Sequence, residues 1–263
     1  MSLLFRIYTR ITSFFADIIL GFVYELGDIV LFVGQTLRTI PRIPQSIRLI
    51  FDAMLEIGVR SLPITFVISV FAGATTAWQG NYQLEGYVSM RYLGTAVAKS
   101  LILELGPVLT GLVVAGRVGA SLAASLGAMR VTEQIDALST MAINPMRYLV
   151  MPRVLAAMVM VPILTIYSVF FGIIGAMFIS MKFLGVSQGI FLYGVKHYFY
   201  YSDLAVCLIK SVVFGTGLSF LGCYYGFKAT GGAEGVGQAA IKAYVSAAVF
   251  ILLSDFIVAS LAF

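Results

Sequence analysis

Four charged side chains lie inside otherwise apolar stretches of the sequence: Glu104, Arg117, Lys210 and Asp255. An ionised residue at the centre of a lipid-facing membrane helix costs about 2.5–3.5 kcal/mol, so each of these is expected to face protein, water or a partner. Glu104 and Arg117 are 13 residues apart, which is roughly 20 Å along a helix. These two residues therefore cannot pair with each other.

Depth in the membrane suggests other partners. If the apolar stretches are helices with the boundaries given below, Glu104, Lys210 and Asp255 lie 5, 6 and 8 residues from the same membrane surface. All three then share one layer, about 8–12 Å deep. We predict that they form a polar cluster in which either carboxylate neutralises Lys210. Arg117 lies in the other half of the membrane and is predicted to bind backbone carbonyls or the polar segment that follows its helix.

Other kinds of chemistry have little support in the sequence. His197 is the only histidine, and no Gly-Lys dipeptide occurs, so there is no G-x-x-x-x-G-K-[ST] loop for nucleotide hydrolysis. The glycine-rich stretch 231–237 superficially suggests a phosphate-binding turn, but no strand precedes it, and a loop between helices is the better interpretation. Cys207 and Cys223 are 16 residues apart on one predicted helix, too far to bridge. We expect no catalytic centre, metal or cofactor on this chain.

Composition identifies the class of protein. Apolar residues make up 60% of the 263 residues and charged residues 11%, whereas soluble domains average about 25% charged. The chain is therefore an integral membrane protein with one domain of several spans. Most basic residues behind the net charge of +5 flank apolar stretches, which is typical of membrane topology rather than of nucleic-acid binding. The N-terminus is not expected to be a cleavable signal, because Asp17, Glu25 and Asp28 interrupt its apolar residues.

Five apolar stretches are long enough to cross a bilayer as helices. Numbered as spans one to five, they are 61–80, 100–124, 153–180, 204–227 and 240–262. We therefore predict an all-α membrane protein with five transmembrane helices. Residues 81–98 are predicted to be a polar, tyrosine-containing segment that is partly re-entrant, and residues 182–203 an aromatic loop on the same side of the membrane. Residues 230–235 are predicted to be a glycine-rich turn on the other side.

The first part of the chain has a different character. Residues 1–57 are apolar but repeatedly interrupted by charges, and they contain no window of about 20 apolar residues. We predict a helix lying in the membrane interface at 3–36, then a proline-containing break and a second short helix at 45–57. A true span at 14–34 is the alternative. The five-span domain would then cover 58–263.

The basic residues also orient the spans. With the N-terminus on the cytoplasmic side, cytoplasmic segments hold eleven Lys and Arg residues and the opposite segments hold four. The eleven are Arg6, Arg10, Arg38, Arg42, Arg48, Arg60, Arg130, Arg147, Arg153, Lys228 and Lys242, and the four are Arg91, Lys99, Lys182 and Lys196. Because cytoplasmic loops carry the excess of basic residues, we predict a cytoplasmic N-terminus and a periplasmic C-terminus.

Small residues recur at every fourth position along span two and its continuation. One ridge consists of Ala115, Gly119, Ala123 and Gly127, and a parallel ridge of Gly116, Ala120, Ala124 and Ala128. Such ridges permit the close backbone approach by which helices associate in a bilayer. We therefore predict that span two is surrounded by other helices. Span four carries a similar pair, Gly222 and Gly226, which could pack within the subunit or across a dimer.

The chemistry of the sequence changes directly after span two. The segment 129–138 reads MRVTEQIDAL and is predicted to be a short amphipathic helix. Its apolar face would carry Val131, Ile135 and Leu138, and its polar face Glu133 and Asp136. Thr132 is placed to cap this helix, and Pro145 to end it. A short amphipathic helix between two spans is suited to docking a soluble partner, although a solvated interfacial turn is the simpler interpretation.

Together these stretches resemble a known family. The resemblance rests on Glu104-Leu105-Gly106-Pro107, Ala115-Gly116-Arg117-Val118-Gly119, the segment 129–138, Asn144-Pro145 and Pro152-Arg153. This pattern is similar to that of the MlaE/YrbE permeases, the membrane subunits of ABC transporters that move phospholipid or other hydrophobic molecules together with MCE-domain proteins. The resemblance covers roughly residues 50–263 and is weak over the first 45 residues.

The resemblance implies that the segment after span two is the coupling helix, which sits in a groove of a cytoplasmic ATPase. The residues it assigns to this contact are Arg130, Thr132, Glu133, Gln134, Asp136 and Leu138. It also implies a homodimer of this chain, a separate ATPase that holds ATP and Mg²⁺, an MCE-domain protein on the outer side and a small STAS-type subunit. The implied role is phospholipid transport at the inner membrane that supports outer-membrane lipid asymmetry.

We further predict that the cluster of Glu104, Lys210 and Asp255 lies near the outward mouth of a lipid path, with Arg117 further in, and that Lys210 is either neutralised by a carboxylate or meets a phosphate headgroup. The resemblance supports this placement for Glu104, because it implies that the matching position lies near the substrate pocket. A buried ion pair that only fixes helix packing is the alternative. Two rival functions also stay open: a proton-coupled secondary transporter, which predicts inverted repeats that the five unequal spans do not show, and a membrane scaffold for the ATPase and the MCE protein. The sequence indicates neither the direction of transport nor the lipid.

Overall fold

The structure is a computed structural model that describes residues 20–21, 23–39, 46–84, 86–87 and 89–262. These residues form eleven helices and contain no strand. The helices are α1 (23–37), α2 (Ile47–Ile57), α3 (Leu62–Leu84), α4 (Leu93–Ser100), α5 (Gly106–Val114), α6 (Ala120–Val131), α7 (Gln134–Thr140), α8 (Met151–Lys182), α9 (Gln188–His197), α10 (Tyr201–Phe227) and α11 (Gly232–Ala262). Short 3₁₀ turns lie at Val59–Ser61 and Met90–Tyr92, and π-helical turns at Leu101–Leu105, Ala115–Gly119 and Met146–Val150.

The predicted fold class is confirmed. Within the described residues, five helical stretches are long and apolar enough to cross a membrane. They are Ile47–Leu84, Met90–Val131, Met146–Lys182, Tyr201–Phe227 and Gly232–Ala262, and each contains one of the five predicted spans. The protein is therefore an all-α, multi-pass membrane protein. Span two is composite, since α4, α5 and α6 follow one another through two π-helical turns.

The N-terminal predictions lie partly outside the described residues. Residues 1–19 and 40–45 are not described, so the predicted interfacial helix can be compared only over α1, and the proline-containing break and the alternative span cannot be compared in full. The predicted second helix corresponds to α2. α1 packs one face on α10, where Phe32 lies edge-to-face with Tyr224 and Phe227. Its other face exposes Val23, Tyr24, Val30 and Leu31, as expected for a helix in the membrane interface.

Short helices occupy part of each of two predicted segments between spans. α4 lies in the second half of the predicted re-entrant segment 81–98 and continues into span two. α9 lies in the predicted aromatic loop 182–203, and the Ser187 hydroxyl caps it by accepting a hydrogen bond from the N–H of Ile190. The loop prediction is wrong in this respect, because α9 is stabilised by its contact with α4 rather than by apolar length.

The start of span five also differs from its predicted position. α11 begins at Gly232, inside the predicted glycine-rich turn and eight residues before the predicted start at 240. Gly231 and Gly232 have φ values of 88° and 72°, a left-handed conformation that glycine adopts at little cost. The chain therefore reverses direction within these residues, and the helix can start at once.

α4 and α9 pack against each other at one end of the bundle. A methyl group added to Gly94 would lie 2.2 Å from the carbonyl oxygen of Phe191, so the two backbones touch. Leu93, Val97 and Phe191 are fully buried and form the centre of a small second core. We call this end of the bundle the α9 end, and the opposite end, where α6 leads into α7, the α7 end.

Small residues set the close contact between α3 and α8. A methyl group added to Gly73 would lie 1.8 Å from the carbonyl oxygen of Gly172, and one added to Gly175 would lie 2.4 Å from that of Val70. This contact was not predicted. The sequence contains its signal, since small residues recur at every fourth position of α3 as Thr65, Ser69, Gly73 and Ala77, and all four are buried.

The small-residue ridge of span two packs on span four in the same manner. A methyl group added to Gly222 would lie 2.8 Å from the carbonyl oxygen of Gly119, and one added to Gly226 would lie 3.0 Å from that of Ala123. Gly222 and Gly226 therefore pack within the subunit, which decides between the two arrangements that the sequence leaves open.

The other glycines of the two ridges meet α11 and the turn before it. A methyl group added to Gly116 would lie 3.4 Å from the ring of Tyr244. A methyl group added to Gly127 would lie 3.0 Å from the side chain of Ala229. Span two is thus in contact with spans four and five, as its two ridges predict.

Candidate functional site

Lys210 lies at the centre of a buried polar cluster. Its Nζ is 2.9 Å from each of three oxygens: Oε1 of Glu104, Oδ1 of Asp255 and the backbone carbonyl oxygen of Leu103. The Lys210 side chain is 0% exposed. The cluster brings together the three residues that depth arithmetic places in one layer, and it joins spans two, four and five.

Pro107 explains the third oxygen of this cluster. Proline has no N–H, so the carbonyl of Leu103, four residues earlier, loses its helical donor. The chain forms a π-helical turn at Leu101–Leu105, and Lys210 donates to the freed carbonyl. An ammonium group carries three donors, and three oxygens surround it here. The contact with Leu103 was not predicted, although a proline four residues further on is a sequence signal for it.

The burial of Lys210 contradicts one predicted role. With no exposed surface and three oxygen partners, this lysine cannot meet a phosphate headgroup while the cluster is intact. Glu104 is different, because its side chain is 49% exposed, against 17% for Asp255. Two carboxyl groups share one ammonium group in this cluster. Its accessible part is the carboxylate of Glu104.

Two adjoining cavities extend from Glu104 along α3. The first, of about 410 Å³, has mixed walls, in which Thr76, Gln79, Gln83, Ser100 and Glu104 are polar and Leu84, Ala96, Val97 and Leu105 are apolar. The second, of about 480 Å³, has apolar walls that include Val67, Ile68, Phe71, Leu105 and Leu109. Both are lined by Thr76, Gln79 and Leu105, so they form one open groove, which we call the α3 groove. Five polar or charged side chains line the part towards the α9 end, which we call its polar part, and three line the part towards the middle of the bundle, its apolar part.

Arg117 lies apart from the cluster. Its Nη1 donates hydrogen bonds to the carbonyl of Glu56 at 3.2 Å and to the hydroxyl of Ser61 at 2.6 Å. Ser61 in turn donates to the carbonyl of Ile57. The guanidinium therefore fastens span two to the junction of α2 and α3. Of its two predicted kinds of partner, backbone carbonyls are observed and the segment after span two is not.

The segment after span two is two helices rather than one. α6 continues to Val131, the chain turns at Thr132 and Glu133, and α7 begins at Gln134. Glu133 has a φ of 60°, which interrupts the helix. The predicted apolar face is therefore wrong in part. Val131 belongs to α6 and is exposed, whereas Ile135 of α7 is buried against the bundle.

The predicted cap of this segment is also wrong. The Thr132 hydroxyl donates to the carbonyl of Ala128 at 2.8 Å, at the end of α6, and accepts a hydrogen bond from Nε2 of Gln134 at 3.0 Å. A threonine at the end of a helix readily bonds the carbonyl four residues before it. α7 thus begins without a side-chain cap.

α7 presents a polar, exposed surface at its end of the bundle. Glu133, Gln134 and Asp136 are exposed, and Nη1 of Arg130 forms an ion pair with Oδ1 of Asp136 at 2.5 Å. Leu138 is half-buried and packs against the core. Ala142, just after α7, has a φ of 58°, and a left-handed residue other than glycine costs roughly 1–2 kcal/mol. α7 is therefore a discrete helix bounded by two strained turns, suited to contact with a soluble protein.

In the described part of the chain, no group of three or more His, Cys, Asp or Glu side chains is arranged to hold a metal ion. Cys207 and Cys223 are free and buried.

Comparison with known proteins identifies relatives along most of the chain. Residues 50–261 match the family model described as permease MlaE. A probable ABC transporter permease protein of Rickettsia felis is 38% identical over 242 residues, 92% of this chain and 93% of the relative. The intermembrane phospholipid transport system permease protein MlaE of Haemophilus influenzae is 33% identical over 224 residues, 85% of this chain and 86% of the relative.

A plant protein is also similar to this chain. The chloroplastic protein trigalactosyldiacylglycerol 1 of Arabidopsis thaliana is 34% identical over 206 residues, which are 78% of this chain and 59% of the plant protein.

Proposed function

The chain belongs to the MlaE permease family, and we propose on this basis that it is the membrane subunit of an ATP-driven ABC transporter. Its cargo would be phospholipid, or a related hydrophobic lipid, moved between the inner membrane and an MCE-domain protein. The relative from Haemophilus influenzae is named as a phospholipid transport permease, and that from Rickettsia felis as a probable ABC transporter permease.

The shape and polarity of the α3 groove carry this proposal. A phospholipid has a polar headgroup and apolar chains, and the groove has a polar part beside Glu104 and an apolar part beside Phe71 and Leu109. The amides of Gln79 and Gln83 can donate hydrogen bonds to headgroup oxygens, and the apolar walls accept acyl chains without desolvating polar groups.

α7 supports the assignment to the ABC class. We assign the ATPase contact to its exposed side chains and to those just before it: Arg130, Thr132, Glu133, Gln134 and Asp136. Leu138, which the resemblance includes, packs inward and would hold α7 on the bundle instead. ATP and Mg²⁺ would be bound by the separate ATPase chain. Movement of α7 would reach Glu104 along span two, since α6, α5 and α4 form one continuous element.

The proposed assembly follows from the ABC architecture. Two copies of this chain would present two α7 helices to two ATPases, with a STAS-type subunit bound to the ATPases. The MCE-domain protein would sit on the α9 end, next to the polar part of the α3 groove. The protein would lie in the inner membrane with its N-terminus and α7 in the cytoplasm and its C-terminus in the periplasm. The system would support the lipid asymmetry of the outer membrane.

A proton-coupled transporter is the second candidate, and one observation favours it. The cluster of Glu104, Lys210 and Asp255 holds two carboxyl groups that share one ammonium group, and carboxyl groups inside a membrane protein are a common place for a transported proton. This candidate predicts lipid movement in vesicles of the purified chain under a pH gradient, without an ATPase. The ABC assignment predicts no movement under these conditions.

The turn at Glu133 provides a test of the ATPase contact. Proline fixes φ near −65°, so Glu133→Pro cannot adopt the observed φ of 60° and should displace α7. Glu133→Gly keeps the turn and removes the charge. We expect purification from native membranes to yield two copies of this chain with two ATPases for the unaltered protein, and no ATPase for Glu133→Pro.

The matched variants separate shape from charge. If Glu133→Gly keeps the ATPase and Glu133→Pro loses it, the position of α7 determines binding. If a Glu133→Lys, Asp136→Lys variant also loses it, the acidic face takes part. Complexes of the unaltered chain that contain phospholipid but never an ATPase would refute the ABC assignment.

A further inference from the structure

A second polar cavity lies at the α7 end, at the opposite end of the bundle from the cluster around Lys210. Its volume is about 450 Å³, and its walls come from α1, the C-terminal end of α10 and the first three turns of α11. Ala229 in its wall contacts the position of Gly127 on α6. Four charged residues line it: Glu25, Lys228, Glu234 and Lys242. We call it the α11 cavity.

Two of these charges are already paired. Lys228 forms an ion pair with Asp28 of α1. The hydrogen bond that the Lys228 ammonium donates to the Asp28 carboxylate raises the pKa of Lys228. Glu25 accepts a hydrogen bond from the hydroxyl of Tyr225 at 3.1 Å. These contacts hold α1 over the end of α10 and thereby form one wall of the cavity.

The other two charges are unpaired. Over the residues that the structure describes, Glu234, Gln238 and Lys242 have no hydrogen bond or ion pair from their side chains, and all three are exposed. Lys242 lies ten residues inside α11, about 15 Å from the first residue of the helix. Because the predicted fifth span begins at residue 240, Lys242 lies near the membrane surface, where its exposed ammonium can meet an anionic group of a lipid.

The order of side chains along α11 indicates the kind of ligand. Glu234, Gln238 and Lys242 are four residues apart, so they follow one another at intervals of about 6 Å along the axis. Val245 and Val249 come three and seven residues after Lys242, on the same face, and both are 52% exposed. From the helix start towards the membrane centre, this face is therefore negative, then amide, then positive, then apolar.

A zwitterionic phospholipid has the complementary order. Its ammonium group lies outermost, its phosphate lies next, and its acyl chains extend towards the membrane centre. We propose that the α11 cavity binds the headgroup of a zwitterionic phospholipid from the leaflet on the α7 side. Glu234 contacts the ammonium group, Lys242 and Gln238 contact the phosphate, and the acyl chains lie along Val245 and Val249.

This site is separate from the α3 groove and does not depend on transport. An anionic lipid such as phosphatidylglycerol lacks the ammonium group, so its headgroup would leave the carboxylate of Glu234 without a partner. The site should therefore discriminate between lipids by the sign of the outermost charge, whereas a general basic patch would prefer the anionic lipid.

The charge order can be reversed without changing the net charge. The purified full-length chain in detergent is incubated with equal amounts of phosphatidylethanolamine and phosphatidylglycerol, and bound lipid is counted by native mass spectrometry. A phosphatidylethanolamine with a photoreactive group on its headgroup locates the site by cross-linking. We expect the unaltered chain to retain phosphatidylethanolamine preferentially and to cross-link at 234–242.

In the variant Glu234→Lys, Lys242→Glu, we expect retention of phosphatidylethanolamine and cross-linking at 234–242 to fall about tenfold, the effect of one charged hydrogen bond. Glu234→Lys alone should shift the preference to phosphatidylglycerol. A second swap, Asp52→Lys with Lys196→Glu, also keeps the net charge and alters exposed residues outside the cavity. It should change nothing.

Two outcomes would overturn the proposal. Equal lipid retention in the reversed and unaltered chains would show that Glu234 and Lys242 are merely solvated. Cross-links confined to the α3 groove would show that the α11 cavity is empty of lipid. Should the reversed variant fail to fold, Lys242→Gln gives the same comparison with one charge removed. All readouts use the chain alone, so a failure to bind an ATPase leaves them interpretable.

Discussion

At the scale of single residues, Lys210 is held by oxygens of three different origins: a carboxylate of span two, a carboxylate of span five and a carbonyl freed by Pro107. A buried charge is tolerated only when it is paired and hydrogen-bonded. The lysine meets this requirement, because three oxygens surround its ammonium. The two carboxyl groups meet it only in part, because they share a single ammonium group. Lys210 is therefore the structural centre, and Glu104 is the member that a ligand can reach.

Replacing this lysine should destabilise the protein strongly. Lys210→Met removes the partner of two carboxylates and of the Leu103 carbonyl, and breaking a buried pair in this way costs about 3–5 kcal/mol. We expect a clear fall in the thermal unfolding temperature of the purified protein in detergent. Lys196→Met, which removes an exposed lysine in α9, should change the free energy of unfolding by less than about 0.5 kcal/mol.

A compensated variant separates charge from packing. If Glu104→Gln and Asp255→Asn are added to Lys210→Met, no uncompensated charge remains, and most of the lost stability should return. A triple variant as unstable as the single one would mean that the lysine acts through its volume rather than through its charge.

At the scale of elements, small residues determine which helices touch. Gly222 of α10 meets the backbone of Gly119, so Gly222→Ala places a methyl group 2.8 Å from a carbonyl oxygen. Overpacking of this kind costs about 1–3 kcal/mol. We expect a lower unfolding temperature for Gly222→Ala. Gly237→Ala in α11, where no atom lies within 4 Å of an added methyl group, should instead stabilise the helix by up to about 1 kcal/mol.

The elements also show what can be predicted from sequence. The five spans and the layer of Glu104, Lys210 and Asp255 were predictable, because apolar length and residue depth are properties of each helix by itself. α4 and α9 were not, since they are stabilised by the contact between Gly94 and Phe191, which joins distant parts of the chain.

The turn that separates α6 from α7 was not predictable for another reason. Its left-handed residue is Glu133, and glutamate gives no signal for that conformation, which glycine, asparagine and aspartate adopt more readily. The α3 groove lies between α3 and span two, so its lining depends on how these two elements pack. The pattern within either element alone does not predict it.

At the scale of the whole molecule, the predicted orientation rests on the distribution of basic residues and on the resemblance of the segment after span two to a cytoplasmic coupling helix, and the buried cysteines make it directly testable. Cys207 and Cys223 are the only cysteines of the chain and are 1% and 0% exposed, so a membrane-impermeant maleimide should not label the unaltered protein. Gln188→Cys adds an exposed thiol to α9, and Thr140→Cys adds one to the end of α7.

In intact spheroplasts we expect Gln188→Cys to be labelled at once and Thr140→Cys only after the membrane is opened. The reverse pattern would put α7 on the side without ATP and would refute both the orientation and the ATPase contact. It would also exchange the leaflets, so that the α3 groove would open near the cytoplasmic leaflet and the α11 cavity near the outer one. Absence of label on the cytoplasmic proteins of the same sample is the control that the reagent has stayed outside the spheroplasts. If this control holds and both variants are labelled, α7 is accessible from outside and the predicted orientation is wrong.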